Sequence, residues 1–319
     1  MKAITLEQTA QFLKEYDKYL ILMHKSPDGD TIGCGYGLCM ALRSIGKKAD
    51  VLCGDPVPLI YKYFTDCVSN EGFEPEYIVS VDVATTKLLS GKALEYQDRI
   101  DLCIDHHGSN TGFAKYGYVN GKTSSCAEII KDLLDIMKVD ITKDIANAVF
   151  TGICTDTGCF KYASVSPETH RAAADLMEKG AQSGYICYMM FDNKSKSKMM
   201  LEKMVLDTLE YYCDGQIAFV LTTLGMIEKS GAVESDLDGI ASIPRQIEGV
   251  KIGITMKEKE NGECRFSVRT SEEIDASAIC SQFGGGGHKA AAGCSIHKAL
   301  PEAKKDMLEA CIKMLEGNV

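Results

Sequence analysis

Apolar residues recur at helical spacing in TLEQTAQFLKEYDK, with Thr5 placed to cap the segment, and the unbroken apolar run KYLILMHK that follows predicts a buried strand. Further segments continue the alternation. GCGYGLCMALRSIG predicts a helix, and KADVLCG, YIVSVDV and RIDLCIDHH predict strands; three helical stretches come next in SSCAEIIKDLLDIMK, TKDIANAVFTGICTDTG and SPETHRAAADLMEKG. Strands this apolar, interleaved with helices, specify a parallel sheet covered by helices on both faces, because each strand then buries both of its sides.

The pattern changes after about residue 188. DNKSKSKMMLEKMVLDTLEYY predicts a connecting helix begun by Asp192 or Asn193, with KSKSK as a solvated face. QIAFVLTT, VKIGITMKEK and ECRFSVRT predict strands, KENGE a turn between the last two, and KALPEAKKDMLEACIKML a closing helix. A length of 319 residues suggests two domains. The expected fold is therefore α/β, with a parallel-sheet domain over residues 1–188, a linker helix over 189–213 and a smaller mixed-sheet domain over 214–319.

Composition narrows the class. With 45% hydrophobic and 25% charged residues the chain reads as soluble and globular. No apolar run approaches the roughly 18–20 residues of a membrane-spanning helix, and the polar N-terminal stretch is unlike a signal peptide, so the expected compartment is the cytoplasm, with no membrane partner. The 14 cysteines form no C-x-x-C pair and sit in apolar runs, which reads as a set of reduced core thiols. A net charge of −10 should repel long nucleic acid, so an anionic substrate must be held locally.

Candidate chemistry sits at the ends of the predicted strands. LILM is followed by His24, Asp28 and Asp30, YIVSV by Asp82, and DLCI by Asp105, His106 and His107; Asp156 arrives in TGICTDTG. In an open parallel sheet the carboxyl ends of the strands line one crevice, so these residues converge. Taken singly, Pro-Asp-Gly-Asp is a turn sequence, Asp82 a helix cap and each histidine a structural residue. Recurrence at successive strand ends overturns that reading. Several aspartates in one crevice repel one another unless cations lie among them. Oxygen and imidazole donors without thiolate suit manganese, with magnesium or cobalt as substitutes. Two such ions about 3.5–4 Å apart are the arrangement used in phosphoryl hydrolysis.

In order, HKSPDGDTIG, SVDVA, IDHHGSN and GICTDTG resemble the motifs of the DHH phosphoesterase superfamily, and FSVRTSEEIDASAICSQFGGGGHKAAAG is similar to its accessory DHHA1 domain. The resemblance covers nearly the whole chain. It implies one Mn2+ held by His24, Asp28 and Asp82 and a second by Asp30, Asp82, His106 and Asp156, with Asp82 as the bridge. It leaves Asp105 to orient an imidazole or the nucleophile, and His107 to stabilise transition-state charge or assist the leaving oxygen. Arg269, Gly285, Gly286, Gly287 and His288 would clamp a terminal phosphate or the nucleotide backbone; the competing reading of GGGGH is a plain flexible loop. Cys34 stands where relatives often have serine. Tyr61, Tyr63, Tyr116 and Tyr118 are candidates either for base stacking or for core packing.

One DHH domain, one linker and one DHHA1 domain is the arrangement of the NrnA-type nanoRNases. That likeness implies cleavage of short single-stranded RNA or DNA oligonucleotides to mononucleotides and of 3′-phosphoadenosine 5′-phosphate to AMP and phosphate. A soluble phosphodiesterase for linear or cyclic dinucleotides (pApA, pGpG, cyclic di-AMP) is the alternative enzyme, and a nucleotide-sensing or RNA-end-binding module the alternative without catalysis. A homodimer is compatible with either.

Overall fold

The computed structural model describes residues 1–237 and 239–317, and the chain divides into two compact units, the first Met1–Asn193 and the second beginning at Lys194. In chain order the first unit contains β1 (Lys2–Ala3), α1 (Leu6–Glu15), β2 (Tyr19–Met23), α2 (Gly29–Ser44), β3 (Ala49–Cys53), α3 (Lys62–Thr65), β4 (Tyr77–Val81), β5 (Leu102–Asp105), β6 (Tyr116–Val119), α4 (Cys126–Met137), α5 (Lys143–Asp156), α6 (Pro167–Glu178) and α7 (Ser183–Cys187). Its six strands are all parallel, in the order β1-β6-β5-β4-β2-β3. The strands that lead to His24, to Asp82 and to His106 are thus adjacent, β2, β4 and β5, and their ends share one edge. β1 and β6 carry no strong alternation and were not among the expected strands.

Side chains on the two sides of each central strand enter different cores. Tyr19, Ile21, Val79, Val81, Leu102 and Ile104 pack with residues of α1, α2, α4 and α5. Leu20, Leu22, Ile78 and Cys103 pack instead with Leu89, Ala93, Ile100 and Ala114. The helical cover on this second face consists of short 3-10 helices, Thr86–Leu88 and Gly91–Tyr96. Helices α2 and α5 lie against each other through glycine. A Cβ on Gly33 would stand 2.4 Å from the Ala148 carbonyl oxygen, and one on Gly152 2.8 Å from Asp30 Oδ1.

The second unit contains α8 (Lys196–Leu206), β7 (Glu210–Tyr212), β8 (Ile217–Thr222), α9 (Leu224–Ser230), β9 (Ile252–Glu258), β10 (Cys264–Thr270), α10 (Ala276–Ser281), β11 (Gly286–His288), β12 (Ala291–Ile296) and α11 (Leu300–Glu316). Its sheet runs β11-β12-β10-β9-β8-β7, antiparallel except between β8 and β9. The expected caps of the connecting helix, Asp192 and Asn193, are not its caps: residues 188–192 close a π-turn, and the Ser195 hydroxyl accepts from the Lys198 amide to begin α8. Leu201 and Val205 of α8 pack against Val220 and Ile240, so this helix belongs to the second unit's own packing. The expected helical tail LEYY instead supplies β7, paired to β8. No helix among the described residues is long and apolar enough to cross a membrane.

Candidate metal centre

His24 and Asp82 just beyond β2 and β4, Asp28 and Asp30 at the start of α2, Asp105 at the end of β5 with His106 and His107 after it, and Asp156 at the end of α5 come together in one crevice. Each is fixed by its own element. The Asp28 carboxylate caps α2, accepting from the amides of Asp30 and Thr31 at 3.1 Å. Asp30, in the first turn of α2, is almost fully buried; it accepts from the amides of Cys126 at 2.7 Å and Ala127 at 2.9 Å, the N-terminus of α4. The Cys34 thiol donates to Asp30 Oδ1 at 3.5 Å and so contributes a further donor there. Neither the α4 amides nor their bonds to Asp30 could be read from the sequence, since they lie 96 and 97 residues away.

Asp82 is the centre of the arrangement. It follows β4 with φ of 56°, a left-handed backbone that costs most residues about 1 kcal/mol or more, and its carboxylate is nearly fully buried. Oδ2 lies 3.6 Å from His24 Nε2; Oδ1 lies 3.5 Å from both His106 Nε2 and His107 Nδ1. His24 Nε2 is also 3.6 Å from Asp28 Oδ1, and His106 Nε2 is 3.5 Å from Asp156 Oδ2 and 3.8 Å from Asp30 Oδ2. Ligands about 2.0–2.2 Å from one cation are roughly 3–3.6 Å apart, so most of these separations suit shared coordination better than direct hydrogen bonding. Asp82 Oδ1 is buried with no hydrogen-bond partner, a condition that a cation would relieve. The ring nitrogen Nδ1 of His24 lies 2.8 Å from the Lys25 carbonyl oxygen, to which it can donate, leaving Nε2 with a lone pair for the crevice. The donor atoms therefore fit divalent cations. They fall into three overlapping groups, His24 with Asp28 and Asp82, Asp82 with His106 and His107, and Asp30 with His106 and Asp156.

Asp105 is in none of these groups. Fully buried, its Oδ1 lies 2.8 Å from His107 Nδ1 and accepts from the amides of His106 and His107; its Oδ2 accepts from Asn110 Nδ2 at 2.6 Å. Asn110, whose amide also donates to the Val83 carbonyl, is a positioning residue that strand-end logic did not single out, although it sits within IDHHGSN. His107 is thereby held by one nitrogen while its ring remains 42% exposed.

The charges of this crevice conflict without metal. Burial, and then the charges of Asp82, Asp156 and Asp28, raise Asp30 well above the usual carboxylate range. Burial also raises Asp156 to about 6, with His106 opposing and Asp82 and Asp28 adding to the rise. Burial alone would lower His24, but hydrogen bonds to Asp28 and Asp82 lift it to about 11. The bond to Asp105 lifts His107 to about 9 against the effect of its partial burial. Asp105 itself stays below the ordinary range: burial opposes its ionisation, and the bonds from His107 and Asn110 outweigh it.

In the second unit Arg269 is the penultimate residue of β10 and His288 ends β11, and both are in register with Ala291 of the strand between them. The GGGGH segment is not a plain loop, because Gly286–His288 form β11. A Cβ on Gly285 would meet the Gly293 carbonyl oxygen at 2.3 Å, and one on Gly287, at φ of 151°, the Ala291 carbonyl oxygen at 2.6 Å. These two glycines are needed for close approach to β12, whereas Gly286 faces open space. Tyr61, Tyr63, Tyr116 and Tyr118 all pack on the first unit's core, and the Tyr63 hydroxyl is bonded to Thr151, so their rings serve packing.

Comparison with known proteins agrees with these motifs. Residues 18–153 match the DHH family N-terminal domain and residues 216–317 the DHHA1 domain. The bifunctional oligoribonuclease and PAP phosphatase NrnA of Thermus thermophilus is 33% identical over 91% of this chain and 88% of its own length, and the protein of the same name from Bacillus subtilis is 24% identical over 88% and 90%. The crystal structure of an exopolyphosphatase-related protein from Bacteroides fragilis superposes with a TM-score of 0.86 at 25% identity, covering 97% of this chain and 95% of that one. Exonuclease RecJ bound to manganese shares the fold, with a TM-score of 0.51 at 14% identity over 98% and 95%. The chain thus belongs to the DHH family of phosphoesterases and carries a DHHA1 domain over residues 216–317.

Proposed function

We propose that the protein is a manganese-dependent hydrolase that degrades oligonucleotides of a few residues to mononucleotides and releases phosphate from 3′-phosphoadenosine 5′-phosphate. The observation that carries this reading is the crevice of carboxylates and imidazoles around the partnerless Asp82 Oδ1. Its chemistry suits phosphate esters, and the names of the NrnA relatives supply the substrate class. The net charge of −10 favours short substrates over long strands, which a surface of that sign repels.

His24, Asp28 and Asp82 would hold one cation, and Asp30, Asp82, His106 and Asp156 the other. Such ions, when bound, neutralise the carboxylates, lower the pKa of water and draw charge from phosphoryl oxygens. Asp105 fixes the His107 ring through Nδ1, so that Nε2 is the atom that presents a proton to a phosphoryl or leaving oxygen. Asn110 completes that support by holding the second oxygen of Asp105. In the second unit, Arg269 and His288 would bind a substrate phosphate, with the Gly286 amide as a further donor.

A substrate panel with Mn2+ tests the proposal. RNA of two to five residues and the bisphosphate nucleotide should be turned over, and a long single strand poorly. Equal turnover of the long strand rejects the short-substrate reading. Selective turnover of pApA, pGpG or cyclic di-AMP would establish the dinucleotide phosphodiesterase instead.

A further inference from the structure

Cys154, Cys159 and Cys187 bring three thiols together outside the carboxylate crevice. Their sulfur atoms all lie within 4.8 Å of one another, and those of Cys154 and Cys187 are 3.6 Å apart. Three thiolates about 2.3 Å from one zinc ion stand roughly 3.7–4.0 Å from each other, so this spacing needs only small adjustments of side-chain angle. Cys154 is buried on α5, whereas Cys159 and Cys187 are partly exposed, which gives an ion a route in and leaves room for a solvent ligand.

The backbone turns sharply to make this meeting. Gly158, Cys159 and Phe160 are consecutive left-handed residues with φ of 56°, 59° and 61°, and the Cys159 amide donates to the Cys154 carbonyl at 2.8 Å. The Phe160 ring, stacked on His170 with centroids 5.4 Å apart, holds the far side of the turn. Two non-glycine residues in this conformation are unfavourable unless their surroundings hold them, and here they fold Cys159 back onto the helix that carries Cys154.

We propose that these three cysteines form a thiolate site for one thiophilic cation of the zinc type, separate in chemistry from the oxygen and imidazole set. Binding displaces the thiol protons to solvent as sulfur–metal bonds form. The ion ties the C-terminal turn of α5 to the end of α7, and so steadies the segment that presents Asp156, two residues beyond Cys154.

Cobalt(II) is the probe. Full-length protein, reduced and stripped by chelator, is titrated with Co2+ and followed by absorbance. Oxygen and imidazole ligands give only weak visible bands, whereas thiolate ligation adds strong near-ultraviolet sulfur-to-cobalt charge transfer. The proposal expects that absorption in the unaltered protein, its bleaching by Zn2+, and its loss in Cys159→Ser and in Cys187→Ser. It also expects the absorption to persist in Asp82→Ala, so failure of the hydrolytic centre and failure of the thiolate site are read separately. Absence of near-ultraviolet absorption at saturating Co2+, or its survival in the Cys159→Ser/Cys187→Ser double variant, overturns the proposal.

Discussion

Asp82 combines three features that stability alone would select against: a left-handed backbone, near-complete burial, and a carboxylate oxygen without a partner among other carboxylates. Asn tolerates this backbone better than most residues and carries no charge. Asp82→Asn should therefore stabilise the metal-free protein by roughly 1 kcal/mol while lowering hydrolysis by about 10³-fold or more, as read from urea midpoints and turnover on a dinucleotide. Loss of both activity and stability would mean that Asp82 is structural. At His107, replacement by Gln should lower turnover about 10²–10³-fold with metal content unchanged, since its Nδ1 sits 2.8 Å from Asp105 Oδ1 and farther, at 3.5 Å, from Asp82 Oδ1. Elemental analysis beside kinetics checks that division. Most of the donor-type residues were legible in the sequence because they cluster at or just beyond strand ends, whereas Asp156 closes the helix α5 and stands out only by its motif. Asn110 and the α4 amides were not, because their roles exist only once β5 and α4 are placed beside Asp105 and Asp30.

At the scale of elements, the crevice depends on how closely α2 and α5 approach. A Cβ at position 152 would stand 2.5 Å from the Ala127 side chain and 2.8 Å from Asp30 Oδ1. Gly152→Ala should cost about 1–3 kcal/mol of stability and weaken Mn2+ binding together, measured by urea unfolding and metal titration. A change in neither would show that the helices can part without disturbing Asp30. Periodicity identified these helices and the central strands, since their burial is patterned locally. It did not identify β1, β6, β11 or β12. β1 and β11 are only two and three residues long and take their conformation from a neighbour's edge, as Gly286–His288 does from β12, while the small residues Ala291–Gly293 that open β12 carry little strand signal. The start of α8 was misjudged for a related reason: the π-turn over 188–192 consumes the residues that would otherwise cap it.

For the whole molecule, proton and metal binding are linked. In the metal-free state His24, lifted to about 11, is protonated at neutral pH, and Asp30 and Asp156 are shifted toward their protonated forms. Cations require a neutral His24 and ionised carboxylates, so loading must release protons, and affinity must rise with pH between about 5 and 8 by up to tenfold per unit for each proton released. Calorimetry in two buffers of different ionisation enthalpy should show net release at pH 7; net uptake would contradict the assignment. The change of pattern near residue 188 lies close to the division of the chain at Asn193, whereas which carboxylate oxygen meets which imidazole required coordinates. The most direct test of the central claim is anomalous diffraction at the manganese edge on crystals of the Mn2+-loaded protein. The account predicts two peaks with Asp82 between them, one beside His24 and Asp28 and the other beside Asp30, His106 and Asp156. A crevice without a peak, or a single ion that leaves Asp82 out of its ligand set, would contradict it.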